Sequence, residues 1–508
     1  LRRALAAARA ANAAETPVTS ELAAPGWSRR RLLTTSAAAG AGLALGCRTL
    51  PTGGGAGGRE VAIVGAGIAG LTCGWRLTQR GIPVRIFEGQ QRAGGRMWSL
   101  RGHFPEGQVC ELGGELIDSN HTTMFRLCEE LDIELFDFAD DRGVDQEVWF
   151  FDGRRVSESD VVEAFRPIAA QIDAAWETIE GDDITATDPN GGEAIDQLSL
   201  AEWLDRAGAE GWFRRLLEVG YVTEYGLPIE RQSPWNLLAL IDSNPEPFRI
   251  FGDSDERYKV AGGNDLVPTR LAERLEDKIE LGHRLEAVRR APSGGYRLSF
   301  AGPSGPRQVD ADVVVLALPF TMLREVELDV ELPQSKRRAI AELGYGTNAK
   351  LMVGFDERVW RTAGGSNGSV LTDLPFQLSW ESTRLQPGKG GIVVGYTGGP
   401  EGIAIGEGTA DEQAARFAEL FDRVFPGVAA QRGLAVRFHW PSFAWAKASY
   451  ACYEPGQWTT IRGHEGTPVD GLHFAGEHTS LDFQGYMEGG AESGERVAGE
   501  ILADLDRP

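Results

Sequence analysis

Residues 60–89 read EVAIVGAGIAGLTCGWRLTQRGIPVRIFEG, and no other stretch limits the fold as tightly. Val61 to Val64 is an apolar run of strand length, and Gly65-Ala66-Gly67-Ile68-Ala69-Gly70 is GxGxxG. Leu71 to Arg80 has helical patterning, and Val84 to Phe87 is a second strand. The whole is one βαβ unit with its glycines at the first strand-to-helix turn. Gly65 permits the tight turn, Gly67 lets a ligand approach the main chain, and Gly70 lets the helix pack on the strand. Ile68 and Ala69 complete the motif ahead of a helix whose N-terminus favours negative charge. Glu88 stands about twenty residues on, where a carboxylate accepts ribose hydroxyls and repels a 2′-phosphate. A bare GxGxxG is weak evidence. Between strand and helix, with the acid in place, it predicts a dinucleotide site and a parallel α/β sheet.

The next residues choose between dinucleotides. RAGGRMWS places Arg92, Gly94, Gly95 and Arg96 directly after the acid. The glycines let backbone approach the ligand, and the two guanidinium groups can meet phosphate charge. This arrangement resembles the second signature of the glutathione-reductase type of FAD protein, so FAD is expected rather than NAD.

Four further stretches extend the pattern to residue 501: ELGGELID (Glu111–Asp118), YKVAGGNDLVPTRLAERL (Tyr258–Leu275) with IELGHRLEAV after it, LGYGTNAKLMVGF (Leu343–Phe355), and GLHFAGEHTSLDFQGYMEGGAESGERVAGEI (Gly471–Ile501). Together with the first two motifs they make the chain resemble the flavin amine oxidases, a family that includes monoamine, polyamine and L-amino acid oxidases. The resemblance implies that Gly114 and Glu115 pass the flavin ring by their backbone and that Leu285 meets the adenine through its main chain. It implies that Lys350 bonds through water to flavin N5, and that Gly476, Glu477, Tyr486 and Met487 belong to the closing strand, loop and helix that hold the flavin. Read by itself, the last stretch agrees: Leu472–Phe474 is a short strand, Gly476 and Gly485 are turn points, and Met487–Leu502 is a helix whose N-terminus faces the flavin's pyrimidine end.

The fold class expected is α/β: a Rossmann-like FAD domain of the glutathione-reductase type, assembled from residues 59–117, 258–325 and 445–508. An α+β substrate domain takes 118–257 and 326–444. In the latter, SLAEWLDRAG and Gly211–Gly226 read as helices and Gln377–Thr397 as strands, while Asp182–Gly192 and Pro303–Gln308 read as polar loops.

The chemistry the resemblance implies is oxidation of a primary or secondary amine by hydride transfer to FAD. The imine hydrolyses, and O2 is reduced to hydrogen peroxide. Tyr450 and Tyr486 match the paired tyrosines that sandwich the amine. An isolated tyrosine would read as core, but two flanked by flavin motifs read as walls of a dry pocket. Lys350 is one inward charge on an apolar strand, costly unless it serves buried water or flavin, although a surface lysine is the competing reading. Where some relatives attach flavin through cysteine, Ser449 stands, so FAD is expected to be non-covalent. No arginine follows ELGGELID before Arg126, which lowers an amino-acid substrate. Glu115 and His121 could form a polar end for a second amine, with a flavin-contacting backbone position and a helix cap or surface histidine as the competing readings. An L-amino acid oxidase, an amine dehydrogenase with another acceptor and a flavin protein without turnover are the alternatives.

The net charge of −23 argues against a nucleic-acid partner. The five cysteines show neither CxxC nor metal-ligand spacing, so no metal is expected. Residues 1–47 contain SRRRLL (Ser28–Leu33) and a short apolar run ending at Gly46-Cys47. The run resembles a twin-arginine export signal with a lipoprotein-type site, and 48–58 is a glycine-rich linker. An exported enzyme, periplasmic or on the outer face of the membrane with a lipid tether at Cys47, is the expectation. The sequence leaves a homodimer open.

Overall fold

Val61–Val64 (β1) is the middle strand of a five-stranded parallel sheet. The order across it is Leu472–Phe474, Val313–Leu316 (β3), β1, Val84–Glu88 (β2) and Ile279–Leu281. A parallel strand buried along its whole length needs cover on both faces, and alternation of side chains gives each face its own cover. Val61 and Ile63 share a core with Leu71 of α1 (Ile68–Thr78) and with Val497 and Ile501 of α4 (Met487–Leu505). Ala62 and Val64 instead share a core with Val288, Leu298 and Phe300 of a four-stranded sheet lying against the other face. Each such valine or isoleucine contributes about 1.5–3 kcal/mol by burial. The two helices approach closely: a Cβ on Gly494 of α4 would lie 2.3 Å from the Ala69 carbonyl oxygen of α1.

The computed structural model describes residues 60–505 except 146, 182 and 293. The paired arginines of 28–33, Cys47 and the glycine-rich linker lie outside the described residues. No helix among the described residues is long and apolar enough to cross a membrane.

Two sequence expectations are corrected. Pro303–Gln308 is largely strand: Gly305–Ala311 pairs antiparallel with Tyr296–Gly302, leaving only a tight turn between them. Its polar residues mark an edge strand with one wet face, which composition alone makes look like a loop. The first segment of the nucleotide domain also packs beyond residue 117. Met124, Leu127 and Cys128 of α2 (Thr122–Glu130) lie in the same core as β1, and Leu135–Asp137 pairs with Tyr258–Val260.

The rest of the chain builds a seven-stranded sheet in the order Arg432–His439, Ala349–Phe355 (β4), Gly391–Thr397 (β6), Leu378–Glu381 (β5), Val370–Thr372, Val148–Phe151 and Arg154–Val156. All seven residues of β4 are buried. Helix α3 (Gly211–Tyr225) ends at Gly226, whose carbonyl accepts the Thr347 N–H (2.8 Å) just before β4. That contact brings the end of α3, and Glu224 with it, beside the strand that carries Lys350.

Candidate active site

A cavity of about 430 Å³ runs from the βαβ turn to the ends of α3, β4 and α4. Its walls include Gly65, Gly67, Ile68, Ala69, Glu88, Gly94, Gly95 and Leu285 at one end. Arg96, Gly114, Glu115, Lys350, Tyr450, Gly476, Glu477, Tyr486 and Met487 continue it towards the other. Thus seventeen residues scattered from 65 to 487, all expected at the site from sequence, share one cavity. Gly70 and Arg92 do not line it. Gly70 does what its position predicts, since a Cβ there would stand 2.0 Å from the Gly65 carbonyl oxygen.

Arg92 is a correction. Its guanidinium donates to the carbonyls of Ala93, Met97 and Gly95 and lies 3.9 Å over the Trp98 ring. It therefore braces the glycine loop from behind instead of facing a phosphate. Arg96 does reach the cavity, but Glu477 (2.7 Å) and the Ser449 carbonyl (2.8 Å) already hold its guanidinium.

Behind the middle of the cavity lies a buried ionic cluster. The Lys350 ammonium donates to Glu115 Oε2 and to the Gly113 carbonyl, both at 2.8 Å, with the Glu111 carbonyl at 3.4 Å. Lys259 donates to Glu115 Oε1 (2.9 Å) and to both oxygens of Ser382. Burial raises the Glu115 carboxyl, but the two ammonium groups outweigh it and hold it down to about 2. Glu111, more weakly paired, is pushed by burial up to about 7. The Lys350 ammonium thus has three acceptors in the protein, of which the Glu111 carbonyl is the most distant.

The other end of the cavity is aromatic. Tyr225, Phe251, Trp380, Tyr396, Tyr450 and Tyr486 line it. Glu224 ties two of them together: its Oε1 accepts the Tyr486 hydroxyl (2.9 Å), and its main-chain carbonyl accepts the Tyr450 hydroxyl (2.7 Å). The Tyr396 and Tyr450 hydroxyls are 2.8 Å apart, and since Tyr450 donates to Glu224, Tyr396 donates to Tyr450.

The flavin-containing amine oxidoreductase family model matches residues 68–502. The chain belongs to this family. A flavin-containing amine oxidase of Danio rerio is 23% identical over 469 residues, covering 88% of this chain and 86% of the relative. An L-amino acid dehydrogenase of Synechocystis sp. is 24% identical over 468 residues, covering 88% and 95%. Among solved structures, the cyclohexylamine oxidase of Brevibacterium oxydans superposes with a TM-score of 0.78 at 24% identity, over 88% of this chain and all of that one (100%).

Membership makes this protein a flavin-dependent oxidoreductase acting on an amine, and its cavity fits the cofactor. Helix α1 is uncapped, because Gly67 at its N-cap offers no side chain. The space above Gly67 is open: an added Cβ would meet only Gly95 Cα, at 3.9 Å. Glu88 is fixed at the far end by the N–H groups of Ala66 and Gln90, each at 2.8 Å. An uncapped helix N-terminus, a bare glycine wall and an oriented carboxylate suit a pyrophosphate and its ribose.

In this amine oxidoreductase the suggested polar end made by Glu115 and His121 is absent. Glu115 is consumed by the two lysines. His121 is buried behind the cavity at the start of α2, its ring edge-on to Phe483 and Tyr486, and burial pushes it down to about 3. The four cysteines among the described residues are free and buried, and none lines the cavity. Ser449 does, donating to Asn348 Oδ1 (2.6 Å).

Sequence reasoning missed Lys259, Ser382, Glu224, Tyr396 and Trp380. Lys259 carried a usable signal, since it sits between Tyr258 and Val260 as Lys350 sits in its own apolar strand. Glu224, one charge near the end of a helix, carried none.

Proposed function

We propose that the chain oxidises a primary or secondary amine that carries no carboxylate, with non-covalent FAD as cofactor and oxygen as electron acceptor. The observation that carries this reading is that no cation in the cavity is free. Among the described residues lining it, the basic groups are Arg96, Arg284 and Lys350, besides His283. Each pairs with a carboxylate: Glu477, Glu286 and Glu115 respectively. An amino-acid carboxylate would enter without a partner, at a cost of several kcal/mol.

When bound, flavin would supply the hydride acceptor and the route for electrons to oxygen. The protein's part is placement. Glycine backbone and the α1 N-terminus would support the cofactor's phosphates, and Glu88 its ribose. Lys350, fixed by Glu115, sets a positive charge between the glycine-backed segment 113–115 and Trp380, whose ring lies 5.2 Å from its ammonium. Tyr450 and Tyr486 are held by Glu224 and leave apolar ring faces as walls for the amine, and their enclosure excludes water.

The test is a panel of amines and L-amino acids scored by anaerobic flavin bleaching and by peroxide in air. We expect carboxylate-free amines to bleach the flavin, with the corresponding amino acids about 100-fold slower or worse, which corresponds to about 3 kcal/mol for an unpaired charge. An amino acid that outpaces its decarboxylated counterpart overturns the substrate class. Rapid bleaching without peroxide in air overturns oxygen as acceptor. Acid precipitation is expected to leave the flavin in the supernatant, because no thiol among the described residues reaches the cavity. Yellow colour retained in the pellet overturns non-covalent binding.

A further inference from the structure

An amine is mostly an ammonium near neutral pH, and it must lose a proton before its Cα–H can leave as hydride. Glu224 is placed to receive that proton. It lines the cavity between Tyr450 and Tyr486 and holds the hydroxyl of each. Only its Oε1 is engaged by a side chain, so among the described residues Oε2 accepts no hydrogen bond. No basic side chain answers its charge. The groups that face it are Asp118, the hydroxyls of Tyr225, Tyr396, Tyr450 and Tyr486, and Glu256 across the cavity.

On the amine-oxidising reading, we propose that Glu224 is the base that deprotonates the incoming ammonium. The substrate nitrogen gives one proton to Oε2, the carboxylate becomes a carboxylic acid, and the neutral amine stays between the tyrosine rings. No electrons move in this step. The same residue positions the cage through Tyr486 and Tyr450, so base and walls are built on one turn of α3. Burial, with Asp118 adding to it, pushes the Glu224 carboxyl up to about 7, within the range where a base works at neutral pH.

The experiment counts protons. The holoenzyme is titrated with α,α-dimethylbenzylamine, which has no Cα–H to transfer, in calorimetry with buffers of different ionisation enthalpy. At about pH 8.5, above the range of Glu224 and below that of the amine, wild type should release close to no protons, because the ammonium's proton stays on Glu224. Glu224→Gln keeps an oxygen for Tyr486 but has no site for the proton, and should release about one per amine bound. At about pH 6 wild type should itself release close to one, since Glu224 is then already protonated. That arm needs no variant. Equal release by both proteins at the higher pH, or no rise in wild type at the lower one, overturns the assignment.

A kinetic readout is independent of binding. With benzylamine, or the fastest amine of the panel, wild-type flavin reduction (the limiting rate over Kd) should plateau between about pH 7 and the amine's pKa. In Glu224→Gln it should fall tenfold per pH unit below that pKa, about 100-fold two units down, while converging with wild type above it. Parallel profiles would overturn the assignment. Failure of every amine to bleach wild-type flavin at any pH overturns the amine-oxidising reading itself, and the flavin, not the proton count, reports that failure.

Discussion

Gly67→Val is expected to give a folded protein without flavin. Gly67 sits in extended backbone that valine adopts (φ −76°, ψ 178°), and an added Cβ meets only Gly95 Cα at 3.9 Å. The protein therefore tolerates the side chain, and the branched methyl groups occupy the space through which a pyrophosphate reaches the α1 N-terminus. We expect flavin affinity to fall about 100-fold or more, the upper range for forcing extra bulk into a fitted site. Far-ultraviolet circular dichroism should match wild type, and the melting temperature should equal that of wild type stripped of flavin, because only the ligand's contribution is lost. Gly65→Ala is the contrast. At φ +104° any side chain is strained, and its Cβ would stand 2.5 Å from the Ala317 carbonyl oxygen at the end of β3. That variant should melt below stripped wild type. Full flavin occupancy in Gly67→Val would remove the glycine cradle from the cofactor site.

Glu115→Gln should lower the melting temperature by about 3 °C, a loss of about 3 kcal/mol spread over a chain of this size. The amide leaves two buried ammonium groups, Lys350 and Lys259, without the carboxylate that both contact at 2.8–2.9 Å. The pH dependence has a definite sign. The folded-state value of about 2 lies below the ordinary 4.5, so the stabilisation is complete above about pH 4.5 and fades as pH falls through about 2. Wild type and variant should therefore converge in acid, as followed by urea midpoints at stepped pH. Adding Lys350→Met to Glu115→Gln should recover part of the loss, since one stranded charge goes with it. A stability gap that is constant across the acid range would mean that Glu115 acts there as a shape and not as a charge.

The site was legible from the sequence wherever chemistry is written into backbone geometry. GxGxxG, Glu88, the Gly94-Gly95 pair and the closing strand, loop and helix are local patterns, and each constrains its own few residues. Arg92 was misread because a guanidinium two residues from a glycine pair can turn either way, and the Trp98 ring and three carbonyls turned it inward. The Gly305–Ala311 strand was misread because an edge strand's wet face has the composition of a loop.

By itself the sequence determined the βαβ unit and the parallel sheet around β1, which follow from periodicity and from glycines that tolerate few alternatives. The flavin family was read from resemblance to its motifs, and so was the pairing of Tyr450 with Tyr486 as candidate walls of the site. The tertiary structure alone decided which charges meet. Glu115, Lys259, Lys350 and Ser382 lie as much as 267 positions apart in the chain, and nothing local specifies their pairing. The Coulomb energy that fixes their roles exists only once the fold has taken them out of water and set them within hydrogen-bond reach. Glu224 likewise gains its place between two tyrosines only where the end of α3 is tied to Thr347 and Asn348, just before β4.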